Sequence, residues 1–165
     1  MNSLFLPFVT NGASVTGEGA GDVEQRLFTL MRDDSRQGRK GMVWHDVLAK
    51  VAELRCWMQA KRRYTGHVDP EGYGANYYVR VNGYRLPDWY SQELDANNVE
   101  SLAHAGNGDV DACWQGWLNS APHRAHVLGE NDFYAAQVNV GVAYFFLEGS
   151  EYGHYWAVIS APSES

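Results

Sequence analysis

The sequence predicts an α+β domain with its helices first and its strands late. Apolar residues recur at helical spacing in two early stretches. Residues 136–160 are instead rich in Val, Tyr, Phe and Ile around a Gly149-Ser150 turn. The chain has 165 residues, 45% of them hydrophobic, which is enough to bury one core and gives no sign of a second. Helices followed by strands indicate a sheet covered by helices.

Residues 1–21 read as a flexible leader. Leu4-Phe5-Leu6-Pro7-Phe8-Val9 is short and broken by proline, with no basic leader and no small-residue cleavage site, so it does not read as an intact signal peptide. The Gly-rich stretch 11–21 reads as a linker. Its Gly17-x-Gly19-x-Gly21 ending lacks the preceding strand and the third-glycine placement that a phosphate-binding turn requires.

The domain proper then spans 22–165. Asp22 with Gln25 three positions on reads as a capping box, and Val23, Leu27, Leu30 and Met31 form one face of the helix behind it. A second helix is expected from an Asp46 cap to about Arg63, with Val47, Val51, Leu54 and Met58 at helical spacing. Asn82-Gly83 fits either a tight hairpin or the end of a short helix. Asp109 caps a helix bearing Val110, Cys113, Trp114 and Trp117, and Ser120-Ala121-Pro122 opens another through Leu128. Two strands, Ala136 to Leu147 and Tyr152 to Ser160, close the chain. Cys56 and Cys113 both fall on helices and are expected as two buried thiols ahead of a disulfide.

Charge excludes one class of function. With 13 Lys+Arg against 20 Asp+Glu the net charge is −7, which repels phosphate backbones, so no nucleic-acid partner is expected. The basic run Lys61-Arg62-Arg63 reads as a solvated helix end. No apolar run approaches the ~18 residues of a membrane span.

The segment Trp117-Leu118-Asn119-Ser120-Ala121-Pro122-His123-Arg124, followed by Val127-Leu128, Phe133 and Val140-Gly141-Val142-Ala143, resembles the W-x-x-S-x-x-H-R block of the bacterial CAP superfamily. This is the group of cysteine-rich secretory, antigen-five and pathogenesis-related proteins. Upstream, Val43-Trp44-His45-Asp46-Val47-Leu48-Ala49 and Tyr64-Thr65-Gly66-His67-Val68-Asp69-Pro70-Glu71-Gly72 are similar to two further family segments at gapless spacing. The family's G-E-N-I-A block is degraded here to Ala96-Asn97-Asn98-Val99-Glu100. The resemblance covers roughly residues 22–160. It implies a three-layer α-β-α sandwich around a mostly antiparallel sheet, favours the short helix before Gly83, and implies a secreted, extracellular protein.

The resemblance also implies a cleft in which two His and two Glu can hold a divalent metal. The histidine positions are His67 and His123, but the glutamate positions carry Asn97 and Ser120. An amide and a hydroxyl are poor zinc ligands beside carboxylates. Zinc is therefore expected to bind weakly if at all, through His67 and His123, and no cofactor is required. Asp69, Glu71, Glu93 and Glu100 are near enough in sequence to supply an oxygen.

Plainer roles compete for the same residues. His67 can hydrogen-bond its own loop, His123 can cap or pack, and His126 reads as a surface residue. His104 and His154 have no motif around them. Asn97 and Asn98 suit a turn fixed by side-chain bonds to backbone. A helix cap accounts for Ser120. With neither a G-x-S-x-G elbow nor an H-E-x-x-H helix, no catalytic apparatus is evident. Tyr64, Tyr73, Tyr77, Tyr78, Tyr84, Trp89 and Tyr90 pack a loop-rich lid or line a cleft wall.

The function these residues point to is a monomeric extracellular binding module. Its cleft of His67, His123, Asn97, Ser120 and Tyr73 would recognise a small amphipathic ligand or an extracellular protein. A metal-assisted hydrolase using the same cleft is the alternative.

Overall fold

Ten elements follow one another in the computed structural model, which describes residues 21–164. They are α1 (Asp22–Asp33), β1 (Val43–Trp44), α2 (Asp46–Arg62), α3 (Ala75–Val81), β2 (Glu100–Ala105), α4 (Val110–Leu118), α5 (Ala121–Leu128), α6 (Asp132–Ala135), β3 (Asn139–Phe146) and β4 (His154–Ala161). The expected flexible leader, residues 1–21, lies outside the described residues except for Gly21, and with it the Leu4–Val9 run and the glycine motif. Among the described residues no helix is long and apolar enough to cross a membrane.

The sheet has the order β1-β3-β4-β2. β4 runs antiparallel to both neighbours, with Val142 opposite Val158 on one side and Glu100 opposite Ile159 on the other. The two-residue β1 joins β3 in parallel. Alternation along β4 divides the core into two layers. Tyr155, Ala157, Ile159 and Ala161 pack with Leu48, Val51 and Val79 of α2 and α3. Trp156 and Val158 pack with Leu27, Met31, Trp114, Trp117 and Val127 of α1, α4 and α5. Every β4 residue from Tyr155 on is buried, as a strand covered on both faces must be. The architecture is the expected α-β-α sandwich.

Several local expectations change. Asp22 and Asp46 are the first residues inside their helices, and the cap positions belong to Gly21 and His45, neither with a side-chain cap bond. Asp109 does cap, its Oδ1 accepting from Asp111 N–H at 3.0 Å and Ala112 N–H at 3.1 Å. The ambiguous Asn82-Gly83 closes α3. Gly83 takes φ of +93°, which a hairpin or a helix stop would both use, but Tyr84 N–H returns to Val79 O at 3.2 Å and so ends a helix. Cys56 and Cys113 are buried free thiols, and burial pushes the Cys113 thiol up to about 12.

His126 is a correction. The sequence reading puts it at the surface, yet only 3% of it is exposed. Its Nδ1 meets Ser101 Oγ at 2.7 Å and its Nε2 meets Ser160 Oγ at 2.7 Å, so it bridges β2 and β4 from α5. Ser160 gives its one hydroxyl proton to Gln137 Oε1 at 2.6 Å. His126 Nε2 must therefore carry the ring proton, and Nδ1 accepts from Ser101. Arg39 is buried alongside with no carboxylate partner among the described residues, donating to the carbonyls of Gln137, Val127 and His126. Burial pushes its guanidinium down to about 10.

Burial, followed by the charge of Arg39, holds the His126 pKa well below its ordinary 6.5, so the folded ring stays neutral while the unfolded one titrates normally. Stability is complete above that ordinary value and falls as pH drops through it, because the unfolded chain gains a proton that the folded one refuses. The expected loss is about 1.4 kcal/mol per pH unit below pH 6.5 for this residue. Urea midpoints at pH 7.5 and 5.5 measure it, and His126→Asn should flatten the slope. An equal slope in that variant would place the acid-sensitive group elsewhere.

Candidate functional site

The candidate site begins with α2, which buries more than its apolar stripe. Arg55 and Gln59 lie on its inward side with Leu48, Val51 and Cys56. A guanidinium there requires a partner, and β2 supplies one: Arg55 Nε donates to Glu100 Oε2 at 2.7 Å, both side chains being wholly inaccessible. Arg55 Nη2 also donates to the carbonyl of His67 at 2.8 Å, which fastens the loop after α2. Burial works against ionised Glu100, but the Arg55 charge and the hydrogen bonds from His67 and Arg55 outweigh it and hold its carboxyl below the usual range. The same pairing raises the Arg55 pKa despite burial. Both groups are charged.

His67 completes this arrangement. Its Nδ1 lies 2.9 Å from Glu100 Oε1, and with the carboxylate as acceptor Nδ1 carries the proton. The ring is partly open, at 38% of its side-chain surface. His123 stands opposite on α5, with ring centres 6.5 Å apart. Its Nδ1 meets Ser120 Oγ at 2.8 Å, and burial, then the neighbouring His67, lower its pKa. The structure thus unites three predicted site residues, His67, His123 and Ser120, from segments far apart in the chain.

The Asn97 side chain is engaged by the backbone of its own turn. Its Oδ1 accepts from Glu100 N–H at 2.9 Å and Val99 N–H at 3.2 Å, while Nδ2 donates to Glu100 O at 3.2 Å. This is the turn expected of it, and it launches β2 with Glu100 aimed inward. Glu100 therefore supplies the carboxylate that the motif reading looked for at Asn97. Asn98 is likewise locked, to Asn76, its N–H donating to Asn76 Oδ1 at 2.9 Å. Ser120 corrects another expectation, since it holds the cap position of α5 without a cap bond.

Tyr73 belongs to an aromatic wall beside the ion pair. Arg55 lies over the Tyr78 ring at 5.1 Å and contacts the Tyr64 hydroxyl at 3.4 Å. Tyr73 meets Tyr78 edge-on at 6.5 Å and stacks on Tyr77 at 4.3 Å. Asp69 ties the wall down by accepting from the Tyr78 hydroxyl and from Tyr73 N–H.

The donor set does not fit a resident divalent metal. Both oxygens of Glu100 are engaged by Arg55 and His67. Both Nδ1 atoms are used, which leaves the two Nε2 atoms and the Ser120 hydroxyl. Zinc–nitrogen bonds of about 2 Å at a tetrahedral angle would set the ring centres roughly 5 Å apart, closer than the 6.5 Å found. Among the described residues no group of three or more His, Cys, Asp or Glu can hold a metal ion. Arg55 already occupies the Glu100 carboxylate as an internal cation.

Sequence reasoning missed Arg55. The available signal was a charged residue between Ala52 and Cys56, on the face of α2 that has to be buried.

No family model matches the chain, and no curated protein matches it. Solved structures do. An extracellular protein containing an SCP domain from Bacillus anthracis str. Ames superposes with a TM-score of 0.58 at 21% identity, over 83% of this chain and 40% of that one. An outer surface protein of Borrelia burgdorferi gives a TM-score of 0.55 at 15% identity, over 86% of this chain and 87% of that one. This chain thus spans well under half of the Bacillus protein and nearly all of the Borrelia one. The chain has the fold of the CAP superfamily, to which SCP domains belong.

Proposed function

We propose that this chain is an extracellular binding domain whose cleft between His67 and His123 takes a small amphipathic ligand, or an apolar side chain of a protein partner, without a resident metal. The observation that carries this reading is the charge arrangement. Glu100 is spent on Arg55 and His67, so the cleft presents two imidazole edges beside a tyrosine wall rather than a free carboxylate. Imidazole edges donate or accept hydrogen bonds at a polar head, and stacked phenol faces suit an apolar body. The extracellular setting is supported by the two fold relatives, one an extracellular protein and the other an outer surface protein.

The test uses 8-anilinonaphthalene-1-sulfonate as an amphipathic probe, read by fluorescence at neutral pH. Saturable binding by the parent chain should weaken at least fivefold in Tyr73→Ala and in His123→Ala. Absence of saturable binding, or affinity in both variants equal to that of the parent chain, would show that the cleft is not the receptor.

A further inference from the structure

Ser120 stands where a helix-capping serine belongs and does not cap. A serine at that position normally accepts from a backbone N–H two or three residues on. Here no such bond exists, and Oγ lies 2.8 Å from Nδ1 of His123, one turn along the same helix. The bond spans the first turn of α5 and sets hydroxyl and imidazole within reach of each other. Ser120 is partly exposed, as a group that must meet a substrate has to be. Its hydroxyl proton has no acceptor among the described residues other than His123.

We propose that Ser120 and His123 are a nucleophile and general base that hydrolyse small acyl esters, an activity that goes beyond ligand binding in the same cleft. Serine activated by an adjacent imidazole is the recurring core of such sites. His67 lies 6.5 Å from His123 between ring centres, too far for a bond between the rings, and is held through Nδ1 on the buried Glu100 carboxylate. The N–H groups of Ala121 and His123 open α5 without partners among the described residues, and Pro122 between them has none to offer. Unpaired first-turn donors suit the oxyanion that an attacked ester carbonyl develops.

The chemistry balances with water as the only co-reactant. Ser120 Oγ bonds to the ester carbonyl carbon, the carbonyl electron pair moves onto oxygen, and the hydroxyl proton passes to His123 Nδ1. When the carbonyl re-forms, the carbon–alkoxide bond breaks and the alkoxide leaves with the proton from Nδ1. Water then gives a proton to the neutral Nδ1 as its oxygen attacks the acyl carbon. Collapse of that adduct returns the proton to Oγ and releases the carboxylic acid.

An alkyl fluorophosphonate tests the pair without a natural substrate, because Oγ displaces fluoride from phosphorus by the same nucleophilic step. The full chain is treated, weighed intact and mapped by peptide mass. One adduct is expected, on Ser120, absent in Ser120→Ala and formed at least tenfold more slowly in His123→Ala. His123→Gln, of similar size, serves if the alanine variant loses its fold by circular dichroism. The folded Ser120→Ala variant should also lose p-nitrophenyl acetate turnover. No adduct, an adduct on another residue, or labelling unaffected by loss of the imidazole would overturn the proposal.

Discussion

Gly141→Ala is expected to remove most of the stability of the fold. Gly141 sits in β3 on the side that faces α2, and an added Cβ would lie 2.0 Å from Ala49 N and 2.1 Å from Leu48 C. These are backbone atoms of the first turns of a helix, so no rotamer can relieve them. Apolar atoms prefer 3.5–4 Å, so α2 and the sheet would have to separate by on the order of 1.5 Å. The layer that would open contains Leu48, Val51, Ala157 and Ile159. A loss above about 3 kcal/mol follows, more than ordinary overpacking because neither partner can turn away. Urea denaturation measures it. Gly116→Ala is the control: it is exposed in α4 with nothing within 4 Å of the added carbon, and should gain about 0.5–1 kcal/mol. Equal effects at the two sites would refute the close approach of α2 to β3.

Arg55→Met should be the next most damaging change. It leaves Glu100 ionised, inaccessible and short of its principal partner, which typically costs about 3–5 kcal/mol. It also frees the carbonyl of His67 from its bond to the guanidinium, so the cleft should loosen with the core. The double variant Arg55→Met/Glu100→Met removes the stranded charge and should be more stable than the single one. If the double variant is as unstable as the sum of the two single ones, the pair contributes no coupling and packing alone explains the loss.

Periodicity made the large elements legible. Leu27 and Met31, or Trp114 and Trp117, fall on faces that only a covered sheet explains, and the run from His154 to Ala161 is apolar enough to be central. The two other strands were hidden for identifiable reasons. Val43–Trp44 is too short to show alternation, and Glu100–Ala105 carries Glu, Ser and His where a strand is expected to carry branched or aromatic residues. Two of those polar residues serve internal pairs, Glu100 with Arg55 and Ser101 with His126.

In the candidate site, the proximity of the two histidines was legible and the carboxylate beside them was not. His67 and His123 could be matched to motif positions, whereas Glu100 lies three residues beyond the position that the motif marks. Only the turn built on Asn97 carries it into the ion pair. His126 was misread because helical spacing from His123 cannot show that two serines, on β2 and β4, wait inside the sheet. Spacing reports faces, and the partners on a face come from elsewhere in the chain.

The two facing imidazoles are held with unequal firmness. His67 is backed by a carboxylate that is itself clamped, and its carbonyl is tied to the same guanidinium. His123 leans on a serine of its own turn. Contact with the first meets a ring already at rest. Contact with the second must still a side chain, at an entropic cost on the order of 0.5–1.5 kcal/mol. A ligand of the proposed cleft would therefore meet preorganisation on one wall and adaptability on the other. Variation in its shape would be absorbed on the α5 side, with the α2 side fixing where it begins.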